Sequence, residues 1–465
     1  MEAGILAPLM FSGLVIFLLL GYPVAFALAA NGLLFAGIGI MAGLFDVSLL
    51  HALPERIYGI VANPTLLAIP FFAFMGLILE RSGMAEDLLD TIGQLFGSLR
   101  GGLAYAVILV GGLLAATTGV VAASVIAMGL ISLPVMLRYG YDKRLASGVI
   151  AASGTLAQIV PPSLVLIVLA DQLGASVSAM YKGALIPGLA LVGLYLAYVF
   201  FVTLTRPHAA PALPASARTL RGSALLLRVF TTLLPPLVLI FLVLGTIFLG
   251  VATPTEGGAM GAAGALLLAL ARGRLSRLQL TQAMDSTTKL TTFVVFILIG
   301  STIFTLVFRG LDGDVWVEHL FNQLPGGVLG FLIAVNLLVF ALAFFLDFFE
   351  IAFIVVPLVG PIATKLGIDP IWFGVMLAVN MQTAFMHPPF GFALFYLKSV
   401  APKSIRTADI YWGAIPFLAI QIVMVAMVLA FPQVVLRDAP ADASSVREIP
   451  IDVDPDAYYL PAEWR

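Results

Sequence analysis

Residues 153–163 read SGTLAQIVPPS, and residues 380–390 read NMQTAFMHPPF. In each, polar side chains (Ser153, Thr155 and Gln158; Asn380, Gln382, Thr383 and His387) precede a Pro-Pro pair, Pro161-Pro162 or Pro388-Pro389. Two consecutive prolines remove two helix donors and clash with the preceding turn, so each stretch is predicted to be a broken helix. In a bilayer such backbone persists only where it is buried in protein or lines a cavity. The two pairs stand 227 positions apart.

Composition sets the medium. Of 465 residues, 61% are hydrophobic and only 10% charged, with a mean hydropathy of +1.09. That leaves too little polar surface for a soluble protein of this size. Apolar runs of about 18 residues recur along the whole length and predict an all-α polytopic membrane protein. Zero cysteines exclude disulfides, thiol catalysis and Cys-ligated metals. No basic segment precedes the first apolar run, so residues 5–20 are expected to be a span and not a signal peptide.

The chain then reads as two halves. In residues 1–204, spans at about 5–20, 24–44 and 63–81 surround an interfacial piece at 46–60. An amphipathic piece follows at 84–98, then an interrupted apolar region at 103–137, the broken helix at 144–170 and a span at 179–204. Residues 205–228 are Pro/Ala-rich and basic, and are expected to be a linker. In residues 229–436 the order recurs: spans at 229–250 and 255–271, an amphipathic piece at 274–289 and a span at 290–308. The interrupted region at 327–364, the broken helix at 371–397 and a last span at 411–435 complete it. A polar, acidic tail occupies 437–465. At the same offset of 227, Tyr139-Gly140-Tyr141-Asp142 falls on Leu366-Gly367-Ile368-Asp369, Pro134 on Pro361, Gly83 on Gly310 and Asp87 on Asp314.

Each arm of an interrupted region is about 15 residues, short for a crossing, which favours re-entrant hairpins over pairs of thin spans. Either way each half crosses an odd number of times, so the halves are expected to be inverted repeats. On that count one side carries sixteen of the 23 Lys and Arg residues. The positive-inside rule makes that side cytoplasmic and both termini periplasmic.

Asp347 and Glu350 lie in ALAFFLDFFEIAFIVVP, the most apolar setting of any carboxylates in the chain. Such residues either face a polar cavity or a cation, or sit solvated at an interface. At the shared offset Asp347 falls on Val120, beside the Thr117-Thr118-Gly119 tip of the first interrupted region. Carbonyls and side-chain oxygens at hairpin tips and helix breaks suit a sodium ion, and helix N-termini favour an anionic group. Two pseudo-symmetric cation sites are therefore expected. The first uses Thr117, Thr118, Gly119, Ser153, Gly154 and Thr155; the second uses Asp347, Glu350, Asn380, Met381 and Gln382. For each hydroxyl the competing reading is a bond back to its own helix. His387 reads as a neutral histidine bonding carbonyls freed at the break, or as a proton relay. Gly257, Gly258, Gly261 and Gly264 give small-residue spacing for helix packing, and Trp316, Trp372, Tyr411 and Trp412 read as interfacial anchors.

These residues resemble the large membrane (permease) subunit of TRAP transporters, the tripartite ATP-independent periplasmic transporters. The resemblance runs to about Pro432 and rests on AASGTLAQIVPPS (Ala151 to Ser163), ATPTEGGA (Ala252 to Ala259), the GIDP turn (Gly367 to Pro370) and NMQTAFMHPPFGFALF (Asn380 to Phe395). It implies a scaffold domain and an elevator-type mobile domain with two hairpins and two broken helices. It also implies secondary transport driven by sodium ions in the bacterial inner membrane, with no covalent cofactor. Two partners follow, a small membrane subunit of about four helices and a periplasmic substrate-binding protein, with membrane lipid around them and no nucleic acid. The substrates implied are organic acids. The first tip reads ATTGVVAAS where relatives are often richer in serine. The second break, QTAFMHPP, resembles the branch linked to 2-oxo acids and other monocarboxylates.

Two other classes compete. An intramembrane enzyme has only the Asp347 and Glu350 pair and no nucleophile, metal triad or phosphate loop to go with it. A proton-coupled organic-anion transporter or antiporter would need no binding protein.

Overall fold

The computed structural model describes residues 3–436. Met1, Glu2 and the tail from Arg437 lie outside the described residues, as do the side chains of 3, 4, 115–118 and 322. The first elements are α1 (Ala3–Leu19) and α2 (Val24–Met41), followed by a 3-10 turn and α3 (Leu53–Val61). Next come α4 (Ala68–Arg81), α5 (Met84–Phe96), α6 (Gly102–Thr118) and α7 (Val121–Arg138). The first broken helix is α8 (Lys143–Thr155) and α9 (Leu164–Gln172), and α10 (Val177–Thr205) closes the half. In the second half run α11 (Gly222–Phe248), α12 (Pro254–Ala271), α13 (Arg277–Gly310) and α14 (Gly313–Asn322). Then follow α15 (Gly327–Leu342), α16 (Phe348–Ile354), α17 (Val356–Lys365), α18 (Pro370–Thr383), α19 (Phe392–Val400) and α20 (Thr407–Ala430). Among the described residues there are only helices and turns, as a chain that satisfies its backbone polar groups within lipid requires. Six of the described helices are long and apolar enough to cross a membrane, and two bent pairs, α4–α5 and α16–α17, pass the same test jointly.

The helices pack in two groups. One is built on α4 against α12 and α2 against α13, with α1, α3, α11 and α14 around them. Glycine makes those contacts close. A Cβ on Gly261 would stand 2.5 Å from Met75 Sδ, and one on Gly300 2.3 Å from Ala25 O. The small-residue face of α12 is thus a packing face, as its spacing predicts. The second group holds α6 to α10 and α15 to α20, and α5 bridges the two, packing on α6 and on α11, while α4 also packs on α6. There α8 and α20 cross so closely that a Cβ on Gly148 would lie 2.1 Å from Gly413 O, and one on Gly413 2.1 Å from Arg144 O.

Four boundaries differ from the sequence reading, each for a local reason. The expected pieces at 274–289 and 290–308 form one continuous 34-residue helix, α13. In the first half the corresponding stretch is split, because Asn63-Pro64 ends α3 and the span begins only at Ala68. At the same offset the second half has Thr291, which leaves the helix donor intact. The arms α6 and α7 have 17 and 18 residues, roughly 26 Å at 1.5 Å per residue. That is close to the about 30 Å hydrocarbon core, so shortness does not separate a hairpin from two spans here. The return arm of the second interrupted region bends by 52° between α16 and α17, where Pro357 stands; its counterpart in the first is Leu130.

The fourth concerns the linker. Residues 222–228 already belong to α11, so the connection is shorter than 205–228. It is also docked: Gly101 N donates to Ala210 O at 2.9 Å, Asp142 N to Ala209 O at 2.9 Å and Leu213 N to Gly97 O at 2.8 Å.

The α8–α20 crossing leaves no room for side chains. Gly413→Val is expected to lower stability by about 1–3 kcal/mol or more, the usual range for overpacking. Gly37→Ala, with nothing within 4 Å of its new Cβ, is expected to be neutral or slightly stabilising. Melting curves of the purified chain in detergent check both; equal midpoints for the two variants would contradict the close crossing.

Candidate functional site

Both breaks have the expected form. α8 gives way to a 3-10 turn at Leu156–Gln158 and restarts as α9 after Pro161-Pro162; α18 ends at Thr383 and restarts as α19 after Pro388-Pro389. Both Pro-Pro peptide bonds are cis. Asp142 and Asp369 cap the first halves, each accepting two backbone N–H groups.

Each interrupted region brings its tip to a break. Gly119, at φ +59°, lies against the start of α9: a Cβ there would be 2.9 Å from Leu164 Cγ. At the second tip Phe348 and Phe385 rings lie 6.2 Å apart. The return arms also cross to the opposite broken helix, α7 packing on α19 and α16 on α9. Gly129 shows how tightly, since its Cβ would fall 2.8 Å from Val400. The four elements therefore form one body around the two breaks.

Its polar centre is a hydrogen-bonded knot. Thr155 Oγ1 donates to Ala152 O at 2.8 Å and accepts from Gln382 Nε2 at 3.1 Å and Gln421 Nε2 at 3.2 Å. Gln421 Nε2 also donates to Tyr195 OH at 2.9 Å. All four side chains are fully buried. Thr155 and Gln382 are separated by 227 positions, the offset between the Pro-Pro pairs. Gln421 and Tyr195 were not singled out from sequence. The signal for Gln421 was its position as the one amide inside the apolar α20.

The remaining candidates fall around this knot. Ser153 Oγ donates back to Ile150 O, so in this state its hydroxyl follows the helix-repair reading. Gly154 is held close to α7, where a Cβ would meet Val125 at 2.3 Å. The side chains of Thr117 and Thr118 lie outside the described residues. Asn380 Nδ2 donates to Asn336 O and Oδ1 at 2.8 and 2.9 Å. Asn336, a single amide in the apolar α15, was also missed from sequence. The carbonyls of Met381 and Gln382 accept the N–H of Ala384. Asp347 and Glu350 form a capping box on α16: Asp347 Oδ1 accepts from Glu350 N at 3.0 Å and Glu350 Oε2 from Asp347 N at 2.9 Å.

Several buried polar atoms near the breaks have no hydrogen-bond partner: Gln158 Nε2 and Oε1, Gln382 Oε1, Gln421 Oε1 and both His387 ring nitrogens. Leaving such atoms unpaired costs about 1–3 kcal/mol each, so their concentration marks a place that accepts a ligand or water. His387 does not bond the freed carbonyls through its ring. Its imidazole stacks on Phe344, with centroids 4.2 Å apart, and meets Phe340 edge-on at 4.7 Å. Oxygen donors for a cation are present, and no cluster of three His, Cys, Asp or Glu able to hold a metal occurs among the described residues.

Comparison with known proteins agrees with this architecture. The sequence model of the family described as "Tripartite ATP-independent periplasmic transporter, DctM component" matches residues 11–434. The C4-dicarboxylate TRAP transporter large permease protein DctM of Pseudomonas aeruginosa is 32% identical over 395 residues, covering 84% of this chain and 90% of that protein. The sialic acid TRAP transporter large permease protein SiaM of Vibrio cholerae is 28% identical, over 87% of this chain and 95% of that one. The isethionate TRAP transporter permease protein DctMQ of Oleidesulfovibrio alaskensis is 26% identical over 92% of this chain, which spans 65% of that protein. Among solved structures, the YdaH transporter of Alcanivorax borkumensis shares the fold, with a TM-score of 0.58, 17% identity and coverage of 84% and 90%. The chain belongs to the DctM component family of tripartite ATP-independent periplasmic transporters.

Proposed function

We propose that this chain is the permease subunit of a sodium-coupled importer of a small organic acid. The observation that carries the reading is the Thr155–Gln382 bond, which joins the two broken helices at equivalent positions. Around it lie unpaired buried amide oxygens and, at the second tip, two carboxylates. The second halves of both broken helices start at the breaks, and α19 has no side-chain cap on its first turn. Uncapped N–H groups at a helix start favour an anion. The compounds that name three relatives, C4-dicarboxylate, sialic acid and isethionate, each carry an acidic group, which supports an acid as substrate. The substrate class is a 2-oxo acid, another monocarboxylate or a C4-dicarboxylate. A periplasmic binding protein delivers it, and a small membrane subunit completes the tripartite assembly. Sodium ions bind at the two tip-and-break sites named from sequence, the second being favoured by charge. The halves are inverted repeats with both termini periplasmic.

The group of α6 to α10 and α15 to α20 moves against the other as an elevator. Few polar bonds join the two groups. Asn63 Nδ2 donates to Asp171 Oδ1 at 2.6 Å, Ser178 Oγ to Ile247 O at 3.1 Å, Arg309 Nη2 to Pro357 O at 3.4 Å and Ser301 Oγ to Phe353 O, and Lys365 pairs with Glu318 at 2.5 Å.

Two experiments test this reading. In proteoliposomes holding this chain and its small subunit, with the binding protein outside, uptake of a labelled organic acid is expected to require an inward sodium gradient. Asp347→Asn keeps a good N-cap but removes the charge, and is expected to raise the half-saturating sodium concentration by about tenfold or more. Uptake that follows pH and ignores sodium would support proton coupling instead. The second experiment uses the absence of cysteine. Replacing Asn63 and Asp171 by cysteines and oxidising the pair to a disulfide with copper-phenanthroline is expected to stop uptake, and reducing the disulfide with dithiothreitol to restore it. Full uptake by the verified cross-linked species would rule out relative motion of the two groups.

A further inference from the structure

Beside the α8–α20 crossing, at the polar ends of α8, α10 and α20, opens a cleft of about 780 Å³ that the transport reading does not use. Lys143, Arg144 and Arg206 line it, together with the aromatic side chains of Tyr198, Phe201 and Trp412. Its two carboxylates, Asp142 and Asp409, are already engaged. Asp142 Oδ1 caps α8, accepting from Arg144 N at 2.9 Å and Leu145 N at 3.1 Å. Asp409 accepts from Arg406 N at 3.1 Å and pairs with the Arg406 guanidinium at 3.5 Å. Lys143 Nζ spends one of its three donors on Ser404 O. Neither Arg144 nor Arg206 has an ion pair among the described residues. Three cationic side chains against two carboxylates leave the lining with a formal charge of +1, and Arg406, paired with Asp409, adds a further positive charge beside it.

Its other wall is apolar and open. Phe201 is 61% exposed and Trp412 59%, on helices whose flanks continue into span surface. A free anion would satisfy the guanidinium groups and leave that wall against water. An amphiphile with an anionic head and hydrocarbon tails satisfies both, and tryptophan and tyrosine suit the headgroup level. The volume also exceeds what a lone phosphate needs. We propose that this cleft binds the headgroup of an anionic glycerophospholipid, of the phosphatidylglycerol type, with its acyl chains lying along α10 and α20. The walls belong to one packed group, so the lipid would stay with that group whatever the other does.

Native mass spectrometry of the purified full-length chain tests the site, with equal amounts of palmitoyl-oleoyl phosphatidylglycerol and phosphatidylcholine as probes. The native chain is expected to retain phosphatidylglycerol preferentially. R144Q/R206Q is expected to reduce that preference by about tenfold, since each basic side chain near an anionic headgroup contributes substantially. R144K/R206K keeps the charges and is expected to retain the preference, and R56Q, outside the cleft, to leave it unchanged. Soluble glycerol 3-phosphate is expected not to displace the bound lipid. An unchanged preference in R144Q/R206Q overturns the proposal. So does equal loss in the lysine variant, which means damage to the fold rather than loss of charge. Displacement by glycerol 3-phosphate also overturns it, because the cleft would then be a site for a free phosphate.

Discussion

The bond from Gln382 Nε2 to Thr155 Oγ1 is the constraint on which the centre of this molecule depends. Thr155 and Gln382 stand at the same place before their Pro-Pro pairs, 227 positions apart in sequence, and they touch. The 227 offset and the 3.1 Å contact together put the breaks side by side at the middle of the second helix group. The bond also explains the surrounding burial. Proline frees backbone groups on both broken helices at this point, and lipid offers them nothing. The tips and return arms must therefore close over the breaks, and α20 must supply Gln421 to complete the hydroxyl of Thr155.

Features fixed by covalent chemistry were legible in the sequence. The Pro-Pro breaks fall where the donors are missing, the tip glycine has the left-handed φ that only a turn needs, and the glycines of α12 meet their neighbours at the expected spacing. Features decided by a neighbour were not. Asn336 and Gln421 are single amides in apolar helices, with no periodicity to flag them, and they matter because another helix brings Asn380 or Thr155 within reach. Composition records only the polarity of the linker; its docking rests on backbone bonds that any sequence can make. Likewise, no pattern reveals that the Thr155 hydroxyl has one donor bond and two acceptor bonds already filled.

The two halves agree at their breaks and differ in their supports, and single prolines account for the difference. Pro64 splits the first half's counterpart of α13, while Thr291 lets α13 run unbroken. Pro357 bends the second return arm where Leu130 keeps α7 continuous. Both prolines sit away from the Thr155–Gln382 knot. The geometry that joins the two breaks is thus alike in both halves, and the helices that frame it differ.

Charge separates the tips further. Val120 precedes α7 without a side-chain cap, whereas Asp347 and Glu350 cap α16 reciprocally. A helix of seven residues is too short to persist unaided, so the order of the second tip depends on that box. The same carboxylates are the strongest cation donors near either break. A cation drawn to them meets carboxylates whose Asp347 Oδ1 and Glu350 Oε2 already accept the capping N–H groups, so it binds beside the contacts that order the tip. A neutral tip such as Gly119-Val120 can offer only carbonyl and hydroxyl oxygens. Under the proposed ion coupling, recognition by charge and closure of a tip meet at the Asp347–Glu350 box.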